Sequence, residues 1–219
     1  MNSIFPSILS TNYFNLESKL NEFNSNSIDF IHLDVMDGHF VDNISFGQRV
    51  VSAIKSKFKF KIDSHLMVSN PEKMIPKFIN SGSDWISFHV ETKNKIRENI
   101  LKIKDHNLKA GIVINPDTPI DILFPYINNV DYILIMSVFP GYGGQEFIDS
   151  TADRVFKIKE RIKYEGSSCL IQVDGGINTS NIGILKDAGV DIFVIGTFLY
   201  NSDNIKKTLN SILSKMNGV

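Results

Sequence analysis

The 219-residue chain has a single cysteine, Cys169, so no internal disulfide can form. Its fold must rest on burial and hydrogen bonding, and a reducing compartment suits it. No apolar run is long enough to span a bilayer, so no transmembrane helix or membrane partner is expected. No basic run is present either: 23 Lys and Arg stand against 24 Asp and Glu, for a net charge of -1 and a pI near 6.5. Nucleic-acid binding is therefore not expected to be the main task. No signal or transit segment is visible after Met1, because a strand candidate begins within five residues. The expected location is the cytoplasm. Cys169 itself falls in an apolar strand candidate and is assigned to the core.

What is present is 42% hydrophobic residues, enough for a large core, arranged as strand-like and helix-like segments in strict alternation. Strands are expected at Ile4–Leu9, Phe30–Met36, within Phe58–Met67, and at Asp84–Val90, Lys109–Asn115, Asp131–Val138, Cys169–Asp174 and Asp191–Ile195. Helices are expected at Phe14–Phe23, Phe46–Lys57, Pro71 to about Asn80, Lys95–His106, a short one opened by Thr118-Pro119, then Thr151–Tyr164, Thr179–Ala188 and Asp203–Met216. Pro71 sits where a helix N-terminus tolerates proline. Strands separated by helices pair in parallel. Eight such units with no linker predict one domain over residues 1–219, a closed α/β (β/α)8 TIM barrel. An open doubly wound sheet is the rival. Asp29, Asp84, Asp131 and Asp191 each open an even-numbered strand, a recurrence that suggests a repeated two-unit module and favours closure. These aspartates are expected to be structural turn residues.

The stretch Phe30–Phe40 begins as a β-branched strand and ends in a polar loop. Strand side chains alternate with period 2, so His32, Asp34 and Met36 share one face. Alone, that pattern is better explained by a buried His–Asp hydrogen bond than by a metal site. The other strand ends change the balance. Chemistry in such barrels sits at the C-terminal ends of the strands. There the chain places Asp63, His65 and Met67, then Ser87, His89 and Glu91, then Asn115, Met136, Gln172 with Asp174, and Gly196-Thr197. His32, Asp34, His65 and Asp174 can converge as a nitrogen–oxygen set. Such a set suits one divalent ion among Zn2+, Fe2+, Mn2+ and Co2+ better than Mg2+ or Ca2+.

Glycines form a second constellation: Gly141, Gly143 and Gly144 around Tyr142, then Gly175-Gly176, then Gly196. Backbone amides freed by glycine approach anions closely, and the loops after the last two strands of such barrels often hold phosphate. Met36, Met67 and Met136 are expected to fill the barrel and line the site. His39 and Phe40 are candidates for substrate contact or a lid. His106 is expected at the surface and Trp85 in the core.

Six motifs now stand in order: Pro6-Ser-Ile-Leu-Ser10, His32 to Phe40, Asp63-Ser-His-Leu-Met67, Phe88-His-Val-Glu91, Met136 to Gln145, and Val173-Asp-Gly-Gly-Ile177. Together they resemble the ribulose-phosphate 3-epimerase family over essentially the whole chain. The resemblance implies a ribulose-phosphate binding barrel with one catalytic divalent metal on His32, Asp34, His65 and Asp174. It implies Asp34 and Asp174 as the acid/base pair. It assigns the sugar phosphate to Ser7, His65, Gly141, Tyr142, Gly143, Gly144, Asp174, Gly175, Gly176, Gly196 and Thr197. The implied reaction interconverts D-ribulose 5-phosphate and D-xylulose 5-phosphate in the pentose phosphate pathway, in a homo-oligomer, dimer or hexamer.

The chemistry suits those residues. The C3 proton lies α to a ketone, and positive charge offsets that of the enediolate. Inversion needs one carboxylate on each face of the sugar. The chain departs from the family pattern at Phe139, where Asn is common, at Asp42, where Pro is common, and at Thr197, where Ser is common. Thr197 keeps the hydroxyl, while Phe139 alters the loop beside the metal. The rival readings are allulose-6-phosphate 3-epimerase and a non-catalytic sugar-phosphate binding barrel. An orotidine-phosphate-type decarboxylase would need Lys where Met36 stands between Asp34 and Asp37.

Overall fold

The structure is a computed structural model that describes residues 3–93, 95–202 and 204–217. Among them eight parallel strands form one sheet: β1 (Ser3–Pro6), β2 (Phe30–Met36), β3 (Lys61–Met67), β4 (Trp85–His89), β5 (Lys109–Ile114), β6 (Tyr132–Met136), β7 (Leu170–Asp174) and β8 (Ile192–Ile195). Neighbours run β1-β8-β7-β6-β5-β4-β3-β2. The ring closes where Ser7 bridges in parallel to His32 and Ile8 N–H donates to the His32 carbonyl at 3.2 Å. Outside it lie α1 (Leu16–Ser25), α2 (Gln48–Lys57), α3 (Pro71–Ser81), α4 (Ile96–Lys104), α5 (Thr151–Tyr164), α6 (Ile182–Ala188), α7 (Thr197–Tyr200) and α8 (Ile205–Asn217). The expected (β/α)8 barrel is what forms. No helix among the described residues is long and apolar enough to cross a membrane.

Several boundaries differ from expectation. The first strand ends at Pro6 rather than Leu9, because the chain turns at once: Leu9 N–H donates to Ser7 Oγ and Thr11 N–H to the Ile8 carbonyl. The short helix expected after Thr118-Pro119 forms as a 3-10 helix over Ile120–Tyr126. Pro125 inside it has no N–H to give an α ladder. The helix expected from Thr179 starts at Ile182, since the preceding turn is held by side chains: the Asn178 N–H donates to Asn181 Oδ1, and Asn178 Oδ1 accepts the Ser180 N–H. The four-residue α7 was not anticipated. Asp203, the expected start of the last helix, lies outside the described residues. Pro71 does open α3, and Gly82 closes it in the left-handed region at φ 98°.

Alternation along each strand sorts the side chains into two cores. Outward residues such as Ile31, Leu33, Ile86, Phe88, Ile133 and Phe193 join the helix faces in the main apolar cluster. Inward residues stack in layers along the barrel axis. The lowest layer is aromatic: Phe5 stacks on Phe30 at 4.1 Å, and Trp85 packs edge-on to both and against Tyr132 at 4.8 Å. Above it the interior turns polar, with His32, Asp63, His65, Ser87, His89 and Gln172 all fully buried. Met36, Met67 and Met136 cap the column.

The recurrent aspartates hold the opposite end. The carbonyls of Asp29, Asp84, Asp131 and Asp191 accept N–H bonds from Lys61, Lys109, Leu170 and Ser3, each at the start of the next odd strand. Three of their carboxylates also reach back to the preceding odd strand: Asp84 accepts Ile62 N–H at 2.7 Å, Asp131 accepts Ala110 N–H at 3.0 Å and Asp191 accepts Ile171 N–H at 2.8 Å. The two-unit module is thus a register clamp far from the site.

Gly111 makes the polar layer possible. A Cβ there would lie 2.4 Å from the Tyr132 ring, which fills the space that a β5 side chain would take. Overpacking of this kind typically costs about 1–3 kcal/mol. Gly111→Ala is expected to lower the urea midpoint by a stability loss of that size or more, and an unchanged midpoint would refute the packing role.

Candidate active site

β2 and β3 pair in register, which sets His32 beside Asp63 and Asp34 beside His65. β7 ends with Asp174 on the same rim. These local facts bring four groups together: one atom each of His32, Asp34, His65 and Asp174 lies within 4.8 Å of the other three. Asp34 is at the centre. Its Oδ1 is 3.3 Å from His32 Nε2 and 3.2 Å from His65 Nδ1, and its Oδ2 accepts the Ser7 hydroxyl at 2.6 Å. Asp174 Oδ2 is 3.9 Å from His32 Nε2 and 4.0 Å from His65 Nδ1.

The donor set fits a divalent ion. His32 Nδ1 is occupied by Asp63 at 2.8 Å, while its buried Nε2 has no hydrogen-bond partner among the described residues and faces the cluster. A buried, unpartnered nitrogen aimed at two carboxylates is poorly placed for protein hydrogen bonding and well placed for a cation.

Burial and charge set the protonation of this cluster without a cation. Burial opposes the charge on Asp34, but His32 and His65 outweigh it and hold its carboxyl well below the usual range. Burial and the neighbouring Asp34 charge push Asp174 well above it. Burial also opposes the His32 charge, yet Asp34 and Asp63 raise it. His65 is brought down to about 4, mainly by burial.

Beneath the cluster lies a buried network. Asp63 accepts from Tyr132 Oη at 2.9 Å and Gln172 Nε2 at 2.7 Å in addition to His32. On the other flank His65 Nε2 meets His89 Nε2 at 2.9 Å, and His89 Nδ1 meets Glu91 Oε2 at 3.1 Å. Burial works against the Glu91 charge, but His89, Thr118 and the Asn115 amide bring its carboxyl down to about 2.

Above the cluster opens a cavity of about 230 Å3. Of the residues expected to bind substrate, Ser7, Asp174, Gly196, Thr197 and the glycines and tyrosine of Gly141-Tyr-Gly-Gly and Gly175-Gly176 all line it. His65 does not; it is fully buried below the floor. Met36, Met67 and Met136 form the apolar wall. Gly176 is required by contact as well as by its φ of +63°, since a Cβ would fall 2.7 Å from the Phe147 amide nitrogen. Phe139 is half exposed at the mouth. The loop beside it is tied instead by Gln145, whose Nε2 donates to the Phe139 and Tyr142 carbonyls. Phe40 packs on the His89 ring at 4.6 Å, whereas His39 is exposed and bonded to Asp37.

Residues 3–200 match the ribulose-phosphate 3 epimerase family model. The chain belongs to the ribulose-phosphate 3-epimerase family. It is 38% identical to the ribulose-phosphate 3-epimerase of Aquifex aeolicus across 99% of this chain and 97% of that one. It is 36% identical to that of Bacillus subtilis across 97% and 98%. Among solved structures, KGPDC from Streptococcus mutans superposes with a TM-score of 0.73 at 12% identity, covering 100% of this chain and 99% of that one. The 3-hexulose-6-phosphate synthase from Salmonella typhimurium gives 0.68 at 13%, with 99% of each covered. At such identity these two speak for the fold alone.

Three partners that support the site carry no signal in the family motifs. Tyr132 meets Asp63 only because Gly111 leaves room. Ser137 Oγ donates to the Asp174 and Gly175 carbonyls, and Asn43 Nδ2 donates to Gly141. Each contact joins residues distant in sequence, and no local pattern carries it. From sequence Asp63 is one more polar residue near a strand end, with no role of its own. Breaking a buried ion pair by deleting one partner typically costs about 3–5 kcal/mol. Asp63→Ala should destabilise the protein by that amount in urea denaturation, and a loss below about 1 kcal/mol would deny Asp63 its place under His32.

Proposed function

We propose that the protein interconverts D-ribulose 5-phosphate and D-xylulose 5-phosphate by inverting C3. One observation carries this reading: Asp34 on β2 and Asp174 on β7 meet at the floor of one cavity, together with two histidines that complete a cation-binding set. The relatives spanning nearly the whole chain support the same substrate.

His32, Asp34, His65 and Asp174 would hold the divalent ion, one of Zn2+, Fe2+, Mn2+ or Co2+. When bound, it supplies positive charge against the negative charge that develops on the sugar oxygens. The chain's own residues do the rest. One of the two carboxylates takes the C3 proton and the other returns a proton to the opposite face, so the sugar need not turn over. Ser7 orients Asp34 by donating to its outer oxygen. Ser137 anchors the backbone that carries Asp174. The methionine wall shields the reacting carbon from water. Gly144, Gly175-Gly176 and Gly196-Thr197 offer backbone N–H groups to the phosphate, whose grip fixes the sugar over the carboxylates. The Ser10 hydroxyl, 2.8 Å from Thr197 Oγ1, braces that side. The same reading carries a cytoplasmic enzyme of the pentose phosphate pathway, assembled as a dimer or hexamer.

The test is turnover of ribulose 5-phosphate before chelation, after it, and after metal add-back, with Asp34→Asn and Asp174→Asn in parallel. Activity should vanish with the metal, return on add-back, and fall by about 10^2–10^4 in either variant. Turnover that survives complete metal removal would refute the metal. A fully metallated protein inert on this substrate but active on allulose 6-phosphate would move the reading to the longer sugar. Binding without exchange of the C3 proton into deuterated solvent would make the barrel a sugar-phosphate binder.

A further inference from the structure

A third histidine lies behind the cluster, with no direct place in it. His89 is fully buried and its ring runs nearly parallel to His65, 25° apart. The two meet through Nε2 atoms at 2.9 Å, so one of them must donate and the other accept. Which one does so is decided further back. Glu91 Oε2 faces His89 Nδ1 at 3.1 Å, and an ionised carboxylate only accepts. His89 therefore carries its proton on Nδ1, and its Nε2 offers a lone pair. His65 must then donate from Nε2, which leaves the lone pair of His65 Nδ1 pointing at Asp34 and Asp174. Facing lone pairs 3.2 Å apart at His65 Nδ1 and Asp34 Oδ1 are relieved by a cation or a shared proton between them.

The orientation of Glu91 is itself over-determined. Its Oε1 accepts the Asn115 N–H and the Thr118 hydroxyl, both at 2.7 Å. Arg154 in turn donates to the Asn115 and Thr118 carbonyls at 2.9 Å and pins that turn. The carboxylate can neither rotate away nor exchange its two oxygens freely.

We infer that Glu91, acting through His89, is a positioning relay that fixes the tautomer in which His65 can ligate the metal. Neither residue touches the substrate cavity. Partners behind a metal-binding histidine commonly hold about 10–100-fold of metal affinity. Here the partner is two residues deep, and its polarity can be reversed without changing shape. In Glu91→Gln the oxygen stays with Asn115 and Thr118, so the new NH2 points at His89 Nδ1. His89 must then donate from Nε2, and His65 is driven to carry its proton on Nδ1, where the metal should be.

The inference rests on the metal reading above, and the test separates the two. The Kd for Zn2+ is measured on the whole protein by competition with a chelating dye, for wild type and Glu91→Gln. Histidine-selective 15N NMR of the Zn2+-loaded wild type reads which His89 nitrogen bears hydrogen. The expected results are an affinity weaker by about 10–100-fold in the variant, an unchanged melting temperature for its metal-free form, and a His89 proton on Nδ1 in wild type. Equal affinities in the two proteins would overturn the relay, as would a His89 proton on Nε2. If the variant fails to fold, the wild-type NMR result decides alone. A wild type that binds no Zn2+ would sink the metal reading and the relay together.

Discussion

The constraint behind the site is that ionisable groups sit inside a barrel whose floor is aromatic. Phe5, Phe30, Trp85 and Tyr132 seal the interior from below, so water cannot solvate His32, Asp63, His65 or His89 from that side. A buried charge is tolerated only when paired and hydrogen-bonded. Asp63 meets that condition with three donors, and Glu91 meets it with another three at the rim. Each histidine is consequently held by a carboxylate on the side away from the cavity, directly for His32 and through His89 for His65.

Rigidity below and openness above follow from the same arrangement. Asp63, Tyr132, Gln172 and the three buried histidines occupy strand positions, where side-chain direction is set by register and cannot drift. The glycine loops occupy the rim, where backbone amides are free to face a ligand. Those loops are still not loose. Gln145 and Asn43 donate to carbonyls of the loop after β6, and Ser137 donates to the Asp174 carbonyl where the loop after β7 begins. At the opposite end the repeated aspartates hold strand register by a different device, main-chain and carboxylate acceptors alternating around the ring. Stability and chemistry are thus assigned to opposite ends of the barrel, as this architecture generally arranges them.

The same polar residue types do different work according to depth. Asp34 and Asp174 border the cavity, whereas Asp63 and Glu91 lie behind the histidines. Phe139 stands half exposed at the mouth, and the adjoining loop is held through its carbonyl and not its side chain.

Much was legible in the chain itself. Alternation of helix-like and strand-like segments determined the barrel, because parallel strands with helical returns leave few other closed solutions. Period 2 put His32 with Asp34 and Asp63 with His65, and position at strand ends singled out Asp174 and the glycines. Tertiary structure alone decided which of these polar residues face the cavity and which face each other. His89 and Glu91 look like the other strand-end pairs in sequence. Only the parallel pairing of β3 with β4, and the turn that brings Asn115 and Thr118 to Glu91, shows that they stand behind His65. Tyr132 reads as a strand residue until Gly111 on the neighbouring strand admits its ring to Asp63. Such contacts join positions 20 or more residues apart across neighbouring and opposite strands. A local pattern fixes a side chain's face, whereas its partner depends on sheet register, ring closure and the space left by other side chains.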